Sequence, residues 1–186
     1  TTLDEAQLVT KLTDIGLEVE TVQNQSRDLD RVFVANLINT EKHPDADKLK
    51  ICEVATDEGN LNIICGAPNA REGIYVVVAK PGVYVPGINT TIGVGKIRGV
   101  ESYGMMCSER EMGLSAEHDG IIELSGQPKI GSKFVEYLSE YNPDAVDPII
   151  EIAITPNRPD ALGVRGIARD LAARGIGSLK AAKTPI

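Results

Sequence analysis

From Val32 onward the chain is built of short β-type runs, VFVANLI, LKICEVAT, LNIIC and IYVVVA, each closed by a cluster of turn-forming residues. That spacing leaves little choice besides a small barrel or sandwich of short strands. His43-Pro44-Asp45-Ala46-Asp47 connects the first two runs, and Asp57-Glu58-Gly59-Asn60 reads as a hairpin turn. Pro81-Gly82 and Pro86-Gly87 punctuate the stretch after the fourth run. Gly120-Ile121-Ile122-Glu123-Leu124 predicts a late strand. Phe134, Leu138 and Tyr141 mark one face of a closing helix, which Asn142-Pro143-Asp144 ends.

The two flanks have mixed character. Thr2-Leu3-Asp4-Glu5 is a capping-box pattern, with Thr2 placed to cap the Glu5 amide, and it predicts a helix from about Leu3 to Ile15. Leu8, Leu12 and Ile15 share one face of it, and Gly16 stands where a left-handed cap is wanted. Leu17, Val19 and Thr21 then alternate with Glu18 and Glu20, the pattern of a half-buried strand. The polar run from Gln23 to Arg31, QNQSRDLDR, reads as a linker. At the other end Ile150, Ile152 and Ile154 predict a strand, and Thr155-Pro156-Asn157-Arg158-Pro159-Asp160 a rigid turn. Val164, Ile167, Ala168, Leu171 and Ala172 form a helical stripe, with Asp170 and Arg174 spaced as a helix ion pair. Neither flank carries enough apolar surface for a core of its own. The expectation is therefore an α+β chain in which residues 1–31 and 148–186 combine into one discontinuous α/β domain, with a small barrel of residues 32–147 between them.

Composition excludes several classes. No apolar run approaches the roughly 20 residues that span a bilayer, and TTLDEAQL lacks the features of a leader, so a cytoplasmic address is expected. Cys52, Cys65 and Cys107 lack zinc or redox-motif spacing and are expected to be reduced and buried. His43, Asp45 and Asp47 read as turn residues. His118-Asp119-Gly120 reads as a surface turn with no nucleophile in view, and Met105 and Met106 as core filling. The glycines at 82, 87, 93, 95 and 99 do not make a phosphate loop. A net charge of −8 opposes nucleic acid globally, so any such contact must come from a local patch and be strongly salt-dependent.

Lys96-Ile97-Arg98-Gly99 followed by Val100-Glu101-Ser102-Tyr103-Gly104-Met105-Met106-Cys107-Ser108, downstream of His43-Pro44-Asp45-Ala46-Asp47-Lys48-Leu49, resembles the tRNA-binding domain, an oligonucleotide-binding (OB) fold. The blocks CGAPNAREG, VAKPGVYVPG and DGIIEL extend the likeness. Ile154-Thr155-Pro156-Asn157-Arg158-Pro159-Asp160, with Gly166-Ile167-Ala168-Arg169-Asp170-Leu171, is similar to the N-terminal region of the bacterial phenylalanine–tRNA ligase β-subunit family. The resemblance implies a five-stranded OB-type barrel inserted into a small α/β domain, within a piece of a several-fold longer subunit. The implied partners are tRNA-Phe and an α subunit in an α2β2 assembly, with neither membrane nor DNA involved. The parent enzyme uses ATP and magnesium to charge tRNA. This piece is expected to contain no catalytic residue, no cofactor and no metal. The implied tRNA contacts are Lys96, Arg98, Ser102 and Ser108, with Asn69 and Lys80 as neighbours and Lys48 and Lys50 as further barrel cations. Arg158, Arg165 and Arg169 are candidates for tRNA or subunit contact. The competing readings are a structural module that holds the synthetase together without binding RNA, and a stand-alone tRNA-binding chaperone, against which the TPNRPDALG flank argues.

Overall fold

The computed structural model describes residues 3–181. In chain order the elements are α1 (Glu5–Asp14), β1 (Glu18–Gln23), α2 (Gln25–Leu29), β2 (Phe33–His43), β3 (Ala46–Thr56), β4 (Gly59–Cys65) and β5 (Tyr75–Ala79), then the short strands β6 (Tyr84–Val85), β7 (Thr90–Thr91), β8 (Val94–Ile97), β9 (Val100–Tyr103), β10 (Met105–Met106) and β11 (Glu123–Leu124), and finally α3 (Phe134–Tyr141), β12 (Ile149–Ala153) and α4 (Val164–Ala173). They fall into two compact units: the residues up to Gln23 with those from Pro148, and Asn24 to Asp147.

In the larger unit the strands pair antiparallel in the order β10–β5–β2–β3–β4, with β11 also on β5. β5 lies inside this sheet and is covered on both faces, which is why it reads as an unbroken apolar run rather than an alternating one. Val77 and Ala79 join one buried cluster with Val34, Val83, Met112 and Phe134. Val76 and Val78 join the other, with Leu37, Cys52, Val54 and Ile63. Where a closed five-stranded barrel is expected, the backbone ladder is six-stranded and open. Its β4 edge runs along β9, and the Ile64 amide donates to the Ser102 hydroxyl at 3.0 Å. A side chain thus spans the gap that backbone bonds leave.

Several expectations are corrected. The 23–31 run is not a linker: Asn24 caps α2, and its Leu29 is fully buried beside Phe134 and Val32. A single apolar residue among polar ones gives no periodicity to read, yet it anchors the segment. β2 runs on through Glu41 and Lys42 to His43, so Pro44 and Asp45 alone connect it to β3. The late strand shrinks to Glu123 and Leu124. In α3, Phe134 and Leu138 face the core while Tyr141 is 57% exposed and stacks on Tyr137 at 4.4 Å between ring centroids.

In the smaller unit α1 is capped by Asp4, whose side chain accepts from Gln7 N–H at 2.8 Å while the Gln7 side chain accepts from the Asp4 amide. Thr2, the expected cap, lies outside the described residues. β1 pairs antiparallel with β12, with a bulge between Val19 and Thr21. The extra residue reverses the alternation, so Val22 rather than Thr21 turns inward. Leu12, Leu17 and Ala161 form the centre, with Leu8, Ile152, Ile167 and Leu171 around them. Val164, placed on the helical stripe by its spacing, is 86% exposed. Arg174 does not pair with Asp170; it donates to the Asp14 carbonyl at 3.4 Å. Gly166 faces the Pro159–Ala161 turn so closely that a Cβ there would lie 1.9 Å from the Asp160 carbonyl oxygen.

Candidate nucleic-acid interface

The β8–β9 hairpin turns on two residues, Arg98 and Gly99, both with positive φ (46° and 89°). Positive φ at both central positions is the primed geometry whose twist matches antiparallel strands. Glycine adopts it freely, whereas for Arg98 it carries a steric cost of about 1–2 kcal/mol. The Arg98 guanidinium is held there, donating to the Asp45 carbonyl at 2.9 Å. His43 makes the second tie. Its Nδ1 accepts the Asp45 N–H at 3.1 Å, which leaves the ring hydrogen on Nε2, 3.2 Å from the Ile97 carbonyl oxygen. The two motifs singled out in the sequence therefore meet, and His43, 4% exposed, is the bracket between them.

Register decides what this hairpin shows to solvent. Val94 opposes Tyr103 and Lys96 opposes Glu101, so these four share the outer face. Val94 is 57% exposed and Tyr103 37%. The Tyr103 hydroxyl donates to Glu101 at 2.5 Å, and that carboxylate pushes the phenol pKa up. Lys96 is exposed and has no hydrogen-bond or ion-pair partner among the described residues, and the same holds for Lys48, three residues past Asp45. Lys42, unremarked in the sequence, is exposed next to His43 and adds another cation. Its signal was adjacency to the HPDAD turn.

The remaining candidates are engaged within the fold. Ser102 is 4% exposed, accepts from Ile64 and donates to the Gly104 carbonyl at 3.3 Å. Ser108 is equally buried and forms a reciprocal cap with Glu111: its amide donates to Glu111 Oε2 at 2.5 Å, and its hydroxyl accepts the Glu111 amide at 3.4 Å. Asn69 bonds both backbone groups of Ile121, at 2.9 and 3.0 Å. Lys50 donates to the Ala70 carbonyl at 2.5 Å. Lys80 reaches Asp57 and Glu58, each at 2.9 Å, and lies 5.1 Å from the centre of the Phe33 ring. In the smaller unit Arg158 and Arg169 are tied to Asp160 and Asp170, while Arg165 is exposed with no partner among the described residues. The exposed cations of the candidate set that no carboxylate holds among the described residues are thus Lys48, Lys96, Arg98 and Arg165, since Arg169, also exposed, is paired.

The family described as "Putative tRNA binding domain" matches residues 32–133. A phenylalanine–tRNA ligase beta subunit from Ruegeria pomeroyi is 62% identical over 181 residues, covering 97% of this chain and 22% of that protein. The one from Brucella abortus is 55% identical, covering 96% of this chain and 21% of that protein. The chain thus spans about a fifth of the length of these relatives. A solved methionyl-tRNA synthetase (MetRS) related protein from Pyrococcus horikoshii aligns over 55% of this chain and 86% of its own, at 21% identity and a TM-score of 0.40.

Proposed function

This chain belongs to the tRNA-binding domain family, and from that premise we propose that it is the tRNA-docking region of a phenylalanine–tRNA ligase β subunit, itself non-catalytic. The observation that carries the reading is the Lys96–Arg98 turn, exposed to solvent and fastened to the His43–Asp45 turn inside the matched region. Lys42, Lys48, Lys96 and Arg98 offer donors to phosphates, and Tyr103 offers an exposed ring edge beside them. Glu101 and the overall charge of −8 keep the attraction local and weak.

Its action is positional. Phosphate contacts raise the local concentration of tRNA and orient it for chemistry on another chain. In this reading the larger unit is an OB barrel of five principal strands, closed through Ser102 rather than by backbone pairing, and the smaller unit is a discontinuous α/β domain. The α subunit of an α2β2 cytoplasmic enzyme supplies the catalytic centre for charging tRNA-Phe. In this reading ATP and magnesium belong to that subunit, and no step here runs through them.

A second reading has its own support. Leu162 and Val164 are 72% and 86% exposed beside Arg165, an apolar prominence suited to subunit contact, which favours an assembly role for the smaller unit.

The test is a salt titration of tRNA binding to this chain beside Lys96→Ala/Arg98→Asn, Asn being chosen because it tolerates the left-handed turn. Binding that weakens with salt, with a slope lower by roughly one to two in the variant, supports the docking role. Absence of binding at low salt leaves the assembly role.

A further inference from the structure

Cys52 and Cys65 sit on neighbouring strands two positions apart in register, Cys52 opposite Ile63 and Cys65 opposite Lys50. Both therefore project to the same face of the sheet and enter the same buried cluster. The two thiols are free, and each shifts the proton affinity of the other. Their environments differ. Cys52 has no exposed surface, while Cys65 retains 8% and lines a surface pocket of about 300 Å3 with Gly66, Met106, Glu111, His118 and Asp119. A second donor, the Ala67 amide, reaches the Cys65 sulfur at 3.4 Å.

We propose that Cys65 and Cys52 are a peroxide-oxidisable dithiol, with Cys65 the attacking sulfur and Cys52 the resolving one. Nucleophilic cysteines are thiolates with access to solvent, and those that sense oxidants stand beside a second thiol. Cys65 meets each condition. The Cys52 S–H, the Ala67 amide and the Lys50 charge together bring its pKa down to about 7, against burial and the nearby Glu111. The neighbouring Cys65 sulfur and burial push Cys52 up, so Cys52 keeps its proton until Cys65 has reacted. Cys107 has no exposed surface, its thiol is pushed up by burial, and it serves as the internal control.

The chemistry balances with hydrogen peroxide as the only oxidant. The Cys65 thiolate attacks one peroxide oxygen, the O–O bond breaks, and the departing hydroxide takes a proton to leave as water. Cys65 is then a sulfenic acid, oxidised by two electrons. The Cys52 sulfur, losing its proton, displaces hydroxide from the Cys65 sulfur, the S–S bond forms, and a second water leaves. Bringing the two sulfurs from diagonal positions to about 2.05 Å draws β3 and β4 together at this point.

The experiment treats the folded chain with hydrogen peroxide, alkylates the remaining thiols under denaturing conditions, and maps the peptides by mass spectrometry. The expected product is a Cys52–Cys65 cross-link two hydrogens lighter, with Cys107 still alkylated. In untreated protein, Cys65 is expected to alkylate at least about tenfold faster than Cys107 at neutral pH, half-maximally near pH 7. In Cys52→Ser, Cys65 should accumulate as a sulfenic acid that dimedone captures. Oxidation of Cys107 at the same rate as Cys65, or conversion of Cys65 to sulfinic acid without the cross-link, overturns the proposal. Because the wild-type chain alone gives both results, a variant that fails to fold does not remove the test.

Discussion

The Ser102 hydroxyl stands between the Ile64 amide, from which it accepts at 3.0 Å, and the Gly104 carbonyl, to which it donates at 3.3 Å. The first of these bonds joins β9 to the β4 edge of the sheet, where β4 and β9 form no ladder among the described residues. Ser102→Ala leaves the Ile64 amide unpaired, and stability should fall by about 1–3 kcal/mol in urea unfolding. tRNA affinity measured well inside the folded baseline should not change. An affinity loss without a stability loss would return Ser102 to the binding surface.

Lys80 separates structural from ligand-binding cations. It is held by Asp57 and Glu58 and lies over the Phe33 ring. Lys80→Met is expected to cost about 1 kcal/mol of stability and to leave the salt slope of tRNA binding where it was, unlike the Lys96/Arg98 change. A reduced slope in the Lys80 variant would move the RNA surface to that side of the sheet.

The carboxylates of the smaller unit set an acid limit. Arg158 and Arg169 hold the Asp160 carboxyl below the usual range, and Arg169, then Arg158, do the same for Asp170. Lys80 lowers Asp57 in the larger unit. With folded pKa values depressed, the unfolded chain binds more protons in this range, so stability rises with pH. The contribution is complete above about pH 4 and is lost as pH falls through the folded values. Urea midpoints between pH 2 and pH 6 should fall on the acid side, and Arg169→Met should flatten that fall.

Gly166 inverts an ordinary rule. Replacing a helical glycine by alanine normally stabilises by up to about 1 kcal/mol. Here the new Cβ would lie 1.9 Å from the Asp160 carbonyl oxygen, backbone that cannot swing aside. Gly166→Ala should destabilise the smaller unit by about 1–3 kcal/mol, read as earlier loss of amide protection in α4 than in β5.

What the sequence disclosed follows from how its signals are carried. The unbroken VVVA of β5 announces itself because burial on both faces leaves no polar gap, and the spacing of Leu8, Leu12 and Ile15 does so because burial on one face imposes a period. The bulge that turns Val22 inward and the lone anchor Leu29 have no period to announce them. The candidate site divides in the same way. Residue type alone marks Lys96 and Ser102 as equally able to bind phosphate. Only the fold shows that Ser102, Ser108, Asn69, Lys50 and Lys80 are already bonded within the protein, while Lys96 and Lys48 remain in water. The Cys52–Cys65 pairing was hidden for a related reason, since 13 positions in sequence become neighbours only once the β3–β4 register is known.

The pairing of β1 with β12 bears on the order of synthesis. Thr21 bonds Glu151 from 130 positions away along the chain. At roughly 5–20 residues per second, β1 leaves the ribosome roughly 6–25 seconds before the strand that completes it. Through that interval Asn24 to Asp147 can fold as their own unit while the first 23 residues stay exposed and unsheltered by their sheet partner. Glu18 and Glu20, charges on a waiting edge, are what a nascent strand needs to avoid pairing with the wrong neighbour.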